Sequence, residues 1–168
     1  MKGNQAVTWP NLDRGYAMKV SDILRVKGTT LYTVEPDSDL KSAVELMAEK
    51  DIGSLVVMSH GDLVGMLTFR EVIAKVVANG GMLGQSTVRN AMDDAPLTCT
   101  GETDLDEVRR MMLDRHARYM PVMDSRMLMG VISLYDVAKA VVDSQNFENK
   151  MLKAYIRDWP ADAEQSAD

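Results

Sequence analysis

One cysteine in 168 residues, Cys99, leaves no means of building an intrachain disulfide framework. Its place in an apolar stretch marks it as a small core residue rather than a nucleophile and suits a reducing, cytoplasmic setting. No apolar run reaches the length of a membrane span, and the N-terminus lacks the basic, apolar and small-residue pattern of a secretory signal. Positive charge is also short, with 19 Lys and Arg against 25 Asp and Glu, a net charge of −6. That balance argues against a nonspecific nucleic-acid binder, which needs a basic stripe to displace counterions. Histidine occurs twice, and neither His60 nor His116 has a second ligand at metal-binding spacing, so a zinc site is not expected. There is no P-loop, no Gly-x-Ser-x-Gly and no dinucleotide fingerprint opening a helix.

What the chain does have is a repeat. Leu128 to Val142 reads as an apolar strand running through Gly130 to Ser133, followed by a helix carrying Leu134, Val137, Ala138, Val141 and Val142 at helical spacing. Asp136 lies three residues after Ser133. The same Gly-apolar-apolar-Thr/Ser-x-x-acid-Val pattern stands 65 residues earlier in Gly65, Thr68, Glu71 and Val72. From Thr33 against Thr98 to Val77 against Val142 the register holds without a gap, with 11 identical positions.

Each unit reads as strand, helix, strand, strand, helix. In the first, Leu31 to Val34 is a short strand and the helix after Asp39 carries Leu40, Ala43, Val44 and Met47 on one face. Ser54 to Met58 and Leu63 to Leu67 form a hairpin around Ser59-His60-Gly61-Asp62, and Phe69 to Ala78 is a closing helix stopped by Asn79-Gly80-Gly81. Leu97 to Thr100 echoes the first strand, and Val88 to Met92 echoes a short amphipathic segment at Val20 to Leu24. Met47, Met58, Met111, Met112 and Met123 fall at core positions and are packing residues. The chain divides into an arm over 1–17, repeats over 18–82 and 83–145, a helix over 146–158 with an apolar stripe from Phe147 to Ile156, and a polar tail over 159–168.

The repeated order, both Gly-x-x-Thr/Ser-x-x-acid corners, and wording such as Ile52-Gly53-Ser54-Leu55-Val56-Val57 and Ser86-Thr87-Val88 resemble the cystathionine-β-synthase (CBS) domain pair, in particular its small stand-alone bacterial members. The resemblance covers about Val20 to Gln145. It implies an α/β (α+β) fold of tandem β-α-β-β-α repeats packed through their sheets as a pseudo-two-fold pair. It also implies a regulatory module that binds an adenine nucleotide, AMP foremost with ATP, ADP or NAD(H) as alternatives, and that forms a homodimer.

A nucleotide presents an apolar base, a sugar diol and an anionic phosphate. The second unit offers counterparts to all three. Asp136 is placed to accept from the ribose hydroxyls, as the family pattern implies, and Ser133 with the helix N-terminus behind it can meet the phosphate. Met120, Pro121, Thr98 and Thr100 would wall the base. Arg118 is the expected phosphate cation, with Tyr119 beside it where the family often has His or Arg. Thr68, Arg70 and Glu71 form the weaker corner, because the longer Glu71 makes a better capping-box residue than a sugar ligand. The bay at Asp136 is therefore expected to be the better mononucleotide site.

Ser/Thr-x-x-Asp/Glu at a helix start is also the ordinary capping box, in which both side chains serve their own backbone. If both corners are only caps, the chain is a ligand-independent dimeric interaction module. An enzyme is not expected, since no general base stands apart from the caps.

Overall fold

A computed structural model describes residues 18–28 and 30–157. The expected arm over 1–17 and the tail over 159–168 lie outside the described residues.

Among the described residues eleven elements follow one another: helix α1 (Val20–Lys27), strand β1 (Thr33–Val34), α2 (Leu40–Glu49), β2 (Ser54–Ser59), β3 (Asp62–Thr68), α3 (Phe69–Ala78), a 3-10 turn (Val88–Asn90), α4 (Leu105–Asp114), β4 (Tyr119–Asp124), β5 (Met127–Ser133) and α5 (Leu134–Arg157). β1 runs parallel to β2, and β2 pairs antiparallel with β3; β4 and β5 form the second hairpin. The repeat is visible in the backbone. Both hairpins slip register at the same place, Val57/Met58 and Val122/Met123. The left-handed residues Asp51 and His60 have counterparts in His116 and Ser125.

One strand expected from the sequence shrinks. Around Leu97 to Thr100 there is a single parallel bridge, Cys99 to Val122. In the first repeat the Val56 amide donates to the Tyr32 carbonyl, which helps hold β1 to its neighbour. The residue in register with Val56 is Pro121, which has no N–H to give. Only the Cys99 amide on Pro121 O and the Met123 amide on Cys99 O remain.

A second expectation changes as well. The closing helix of the second repeat and the helix expected over 146–158, as far as Arg157, are one continuous α5 of 24 residues. Neither Gly nor Pro occurs between Leu134 and Arg157, whereas α3 ends at Asn79, where the Gly81 amide folds back onto Val76 O. Only Val137 and Ala140 of α5 are buried, so its second half carries its apolar stripe without joining the core. No helix among the described residues is long and apolar enough to cross a membrane.

Two cores form, and each borrows its opening segment from the other repeat. Val20 and Ile23 of α1 pack with Cys99, Val108, Met112, Met120, Ile132 and Val137, all from the second repeat. Val88 joins Leu40, Met47, Leu55, Leu67 and Val72 of the first. The backbone fixes the exchange with matched hydrogen bonds: Val20 N to Thr103 O and Leu105 N to Met18 O on one side, Val88 N to Ser38 O and Leu40 N to Ser86 O on the other. Both exchanges cross the boundary expected between residues 82 and 83. Met47 and Met112 are fully buried; Met58, Met111 and Met123, expected at core positions, are half-buried, and Met111 packs against the second core.

Candidate functional site

Both corners are capped helix starts. At the first, Glu71 Oε2 accepts from the Thr68 amide at 2.9 Å and from the Thr68 hydroxyl, while Thr68 Oγ1 accepts from the Arg70 amide at 3.2 Å. At the second, Asp136 Oδ2 accepts from the Ser133 amide at 2.8 Å and Ser133 Oγ accepts from the Asp136 amide at 3.1 Å. Locally the two are alike. A capping bond of this kind is worth about 1 kcal/mol to its helix and leaves the acid's second oxygen unclaimed by the cap.

Their surroundings differ. Asp136 also takes the Lys27 ammonium, 2.6 Å from Oδ2, and the same nitrogen donates to Val131 O at 3.0 Å. Lys27 sits in the last turn of α1, which lies along β5; Leu24, one turn earlier, packs so closely that a β-carbon on Gly130 would stand 2.6 Å from its Cδ2. At the first corner the corresponding segment is shorter. The Asp93 amide and carbonyl pair with Met66, and the chain then leaves through Ala95 and Pro96.

A cleft of ≈ 320 Å³ opens there. Met66, Thr68, Arg70 and Glu71 form one wall. Asp93, Ala95, Pro96 and Leu97 form another, and Arg115 to Tyr119 close it from the second repeat. Three guanidinium groups, Arg70, Arg115 and Arg118, stand at its margin with His116, against two carboxylates, Glu71 and Asp93. Asp93 Oδ1 accepts from the Ala95 amide at 3.0 Å, which shapes the turn. Tyr119 reaches across to the first repeat, where a β-carbon on Gly53 would overlap its hydroxyl.

Of the residues singled out in the sequence, Thr68, Arg70, Glu71, Arg118 and Tyr119 therefore share one cleft. The others lie elsewhere. Met120 is buried in the second core and Pro121 is buried next to it in β4, Thr98 is exposed beside the reduced strand, and the Thr100 hydroxyl pairs with Thr103 Oγ1 at 3.2 Å. Ser133 and Asp136 are engaged by their own helix and by Lys27. A cleft opens at Glu71, and the corner at Asp136, expected to be the better mononucleotide site, carries the ion pair with Lys27 of α1. Sequence reasoning missed Asp93, Arg115 and His116. The basic run Arg115-His116-Ala117-Arg118 was the available signal.

Cys99 plays no part in the cleft. It is buried, its thiol lies 4.0 Å from Pro121 O, and burial pushes that thiol up to about 12. Among the described residues no group of three or more His, Cys, Asp or Glu could hold a metal ion.

Comparison with known proteins gives a consistent answer. The chain is 29% identical over 147 residues to the mitochondrial CBS domain-containing protein CBSX3 of Arabidopsis thaliana, covering 82% of this chain and 71% of that one. The solved CBS-domain containing protein ATU1752 from Agrobacterium tumefaciens matches with a TM-score of 0.68 and 32% identity, over 73% of this chain and 98% of the other. CBSX2, solved in complex with AMP, matches with a TM-score of 0.64 and 25% identity, over 76% and 98%. The CBS domain family model matches twice, at residues 20–78 and 88–143. With two matches, a repeated corner and two interlocked cores, the chain belongs to the CBS domain family as a tandem pair.

Proposed function

We propose that this pair is a nonenzymatic regulatory module that binds an adenine nucleotide, AMP foremost, in the cleft between the Thr68–Glu71 corner and the Arg115–Tyr119 loop. The observation that carries the reading is the meeting of Arg70 from one repeat with Arg115 and Arg118 from the other around one small cavity. Guanidinium groups bind phosphate oxygens through paired N–H donors, and the Thr68 helix start adds backbone N–H groups of the same polarity. A volume of ≈ 320 Å³ is near the lower end of small-ligand sites, about 300 to 1,000 Å³, and favours a mononucleotide over NAD(H). The AMP complex of the similar CBSX2 supports the same ligand class.

Because the phosphate cations come from both repeats, a bound nucleotide ties the two together. Binding can shift the module between states only by its difference in affinity for them, and a cleft shared by two units supplies such a difference. The output we propose is a change in shape or in association of a homodimer. Apolar side chains stand outward on α3 and α5: Val77 is 72% exposed and Ile156 70%. The same faces favour a second reading, a dimeric interaction module indifferent to nucleotide.

Calorimetry with AMP, ATP and NADH on the wild-type chain and on Arg118→Ala tests the proposal. AMP binding weakened roughly 10-fold or more by Arg118→Ala is expected, the scale of one charge-assisted hydrogen bond. No binding at millimolar AMP, with no change in melting temperature, would leave the interaction module as the better reading.

A further inference from the structure

We infer that Lys27 is a tethered occupant of the second corner, so that each chain takes one nucleotide rather than two; this rests on the nucleotide reading of the open cleft. Each corner combines a glycine, a hydroxyl and an acid, Thr68 with Glu71 and Ser133 with Asp136, and in each the acid caps its helix. Among the described residues a cleft is seen beside the first, and at the second the surroundings of the acid differ. The difference is a cation supplied from outside the motif. Lys27 Nζ sits between Asp136 Oδ2 at 2.6 Å and Val131 O at 3.0 Å, filling two acceptors that an incoming ligand's hydroxyl or amine would need.

The lysine is delivered by a difference in chain length. Up to Leu24 and Met92 the segments behave alike, each packing its side chain against the repeat's glycine, Gly130 or Gly65. Eight residues then separate Leu24 from Thr33, but five separate Met92 from Thr98. The longer connection continues α1 to Lys27 before the Gly28 turn, whereas the shorter one turns away after Asp93. Val20 and Ile23 anchor α1 in the second core, so the helix stays in place and holds its last turn over the corner. The Lys27 and Asp136 side chains are 39% and 18% exposed. An ion pair so placed adds little to stability. A ligand at this corner must nevertheless break both ammonium hydrogen bonds before it can use those acceptors.

The test is AMP calorimetry on the full chain, comparing wild type, Asp136→Asn, Lys27→Ala and the double variant, with thermal melts to verify folding. One AMP per chain is expected for wild type and, with affinity unchanged, for Asp136→Asn. Lys27→Ala is expected to take two per chain, and the double variant to return to one. Lys27→Ser carries the same test if the alanine protein melts early. Two AMP per wild-type chain, one per folded Lys27→Ala chain, or a tenfold loss in Asp136→Asn alone would overturn the role of Lys27. No AMP binding by any of the four would instead strike down the nucleotide reading, and the inference with it.

Discussion

Gly53 and Tyr119 meet across the two repeats so closely that the glycine has no room for a side chain: a β-carbon there would overlap the tyrosine hydroxyl and stand 2.8 Å from its Cζ. Tyr119 is also a wall of the cleft. Gly53→Ala is therefore expected to push the ring aside, costing about 1 to 3 kcal/mol of stability as overpacking does and weakening AMP binding. Tyr119→Phe, which removes the overlapping oxygen, should recover part of both losses in the double variant. A denaturant melt and AMP titration of all four proteins check it; purely additive effects would show that the two residues do not compete for space.

Gly65 sets the other side of the same opening. A β-carbon at this position would stand 2.7 Å from both the Asp93 carbonyl and Met92 Sδ, and the carbonyl is backbone that cannot rotate away. Gly65→Ala should break the Asp93 to Met66 pairing and cost more than an alanine at Gly101, whose added β-carbon would lie in ordinary contact, 3.5 Å from Ser21 Cβ. Amide hydrogen exchange at Met66 and Asp93 reads the effect directly, with faster exchange expected in the variant.

Cys99 gives a pH prediction. Burial holds its thiol at about 12, above the value of an exposed cysteine near 8.5. The folded state therefore keeps a proton that the unfolded chain releases first. Its contribution to stability is complete below the unfolded value and is lost as pH rises from there toward 12. Cys99→Ala should flatten that alkaline fall relative to wild type. At pH 8 the native thiol should react with a disulfide reagent far more slowly than the denatured one.

Asp62 and Arg126 join the two hairpin turns, with Arg126 Nε 2.8 Å from Asp62 Oδ1. The hydrogen bond from Arg126 holds the Asp62 carboxyl below its ordinary value. The sign is opposite to that of Cys99: any stabilisation is present above the unfolded aspartate value and disappears as pH falls through the depressed one. Arg126→Gln should raise the Asp62 titration midpoint in an NMR experiment. Both side chains are well exposed, 82% and 43%, so the melting temperature should barely move.

The sequence made much of this fold legible because its information is local and duplicated. Thr68, Ser133 and their acids announce two helix starts, Asn79-Gly80-Gly81 announces a stop, and the matched glycines Gly65 and Gly130 fix the register. What was not legible is tertiary. Periodicity shows that Val20 and Val88 are buried, but not that each enters the other repeat's core. Pro121 could have foretold the loss of a strand, once the donor it lacks was set against Val56. The local pattern does not show that Lys27, on a helix more than a hundred residues earlier in the chain, meets Asp136.

The traded opening segments bear on how such a protein could be divided. Severing the backbone within Gly80–Gly84 would leave two fragments still clasped, each holding a helical finger of its counterpart. A fragment made alone would display an unfilled slot in place of Val20 or Val88. The smallest piece able to stand by itself is thus the couple, and a lone repeat would be expected to seek another copy to complete its interior.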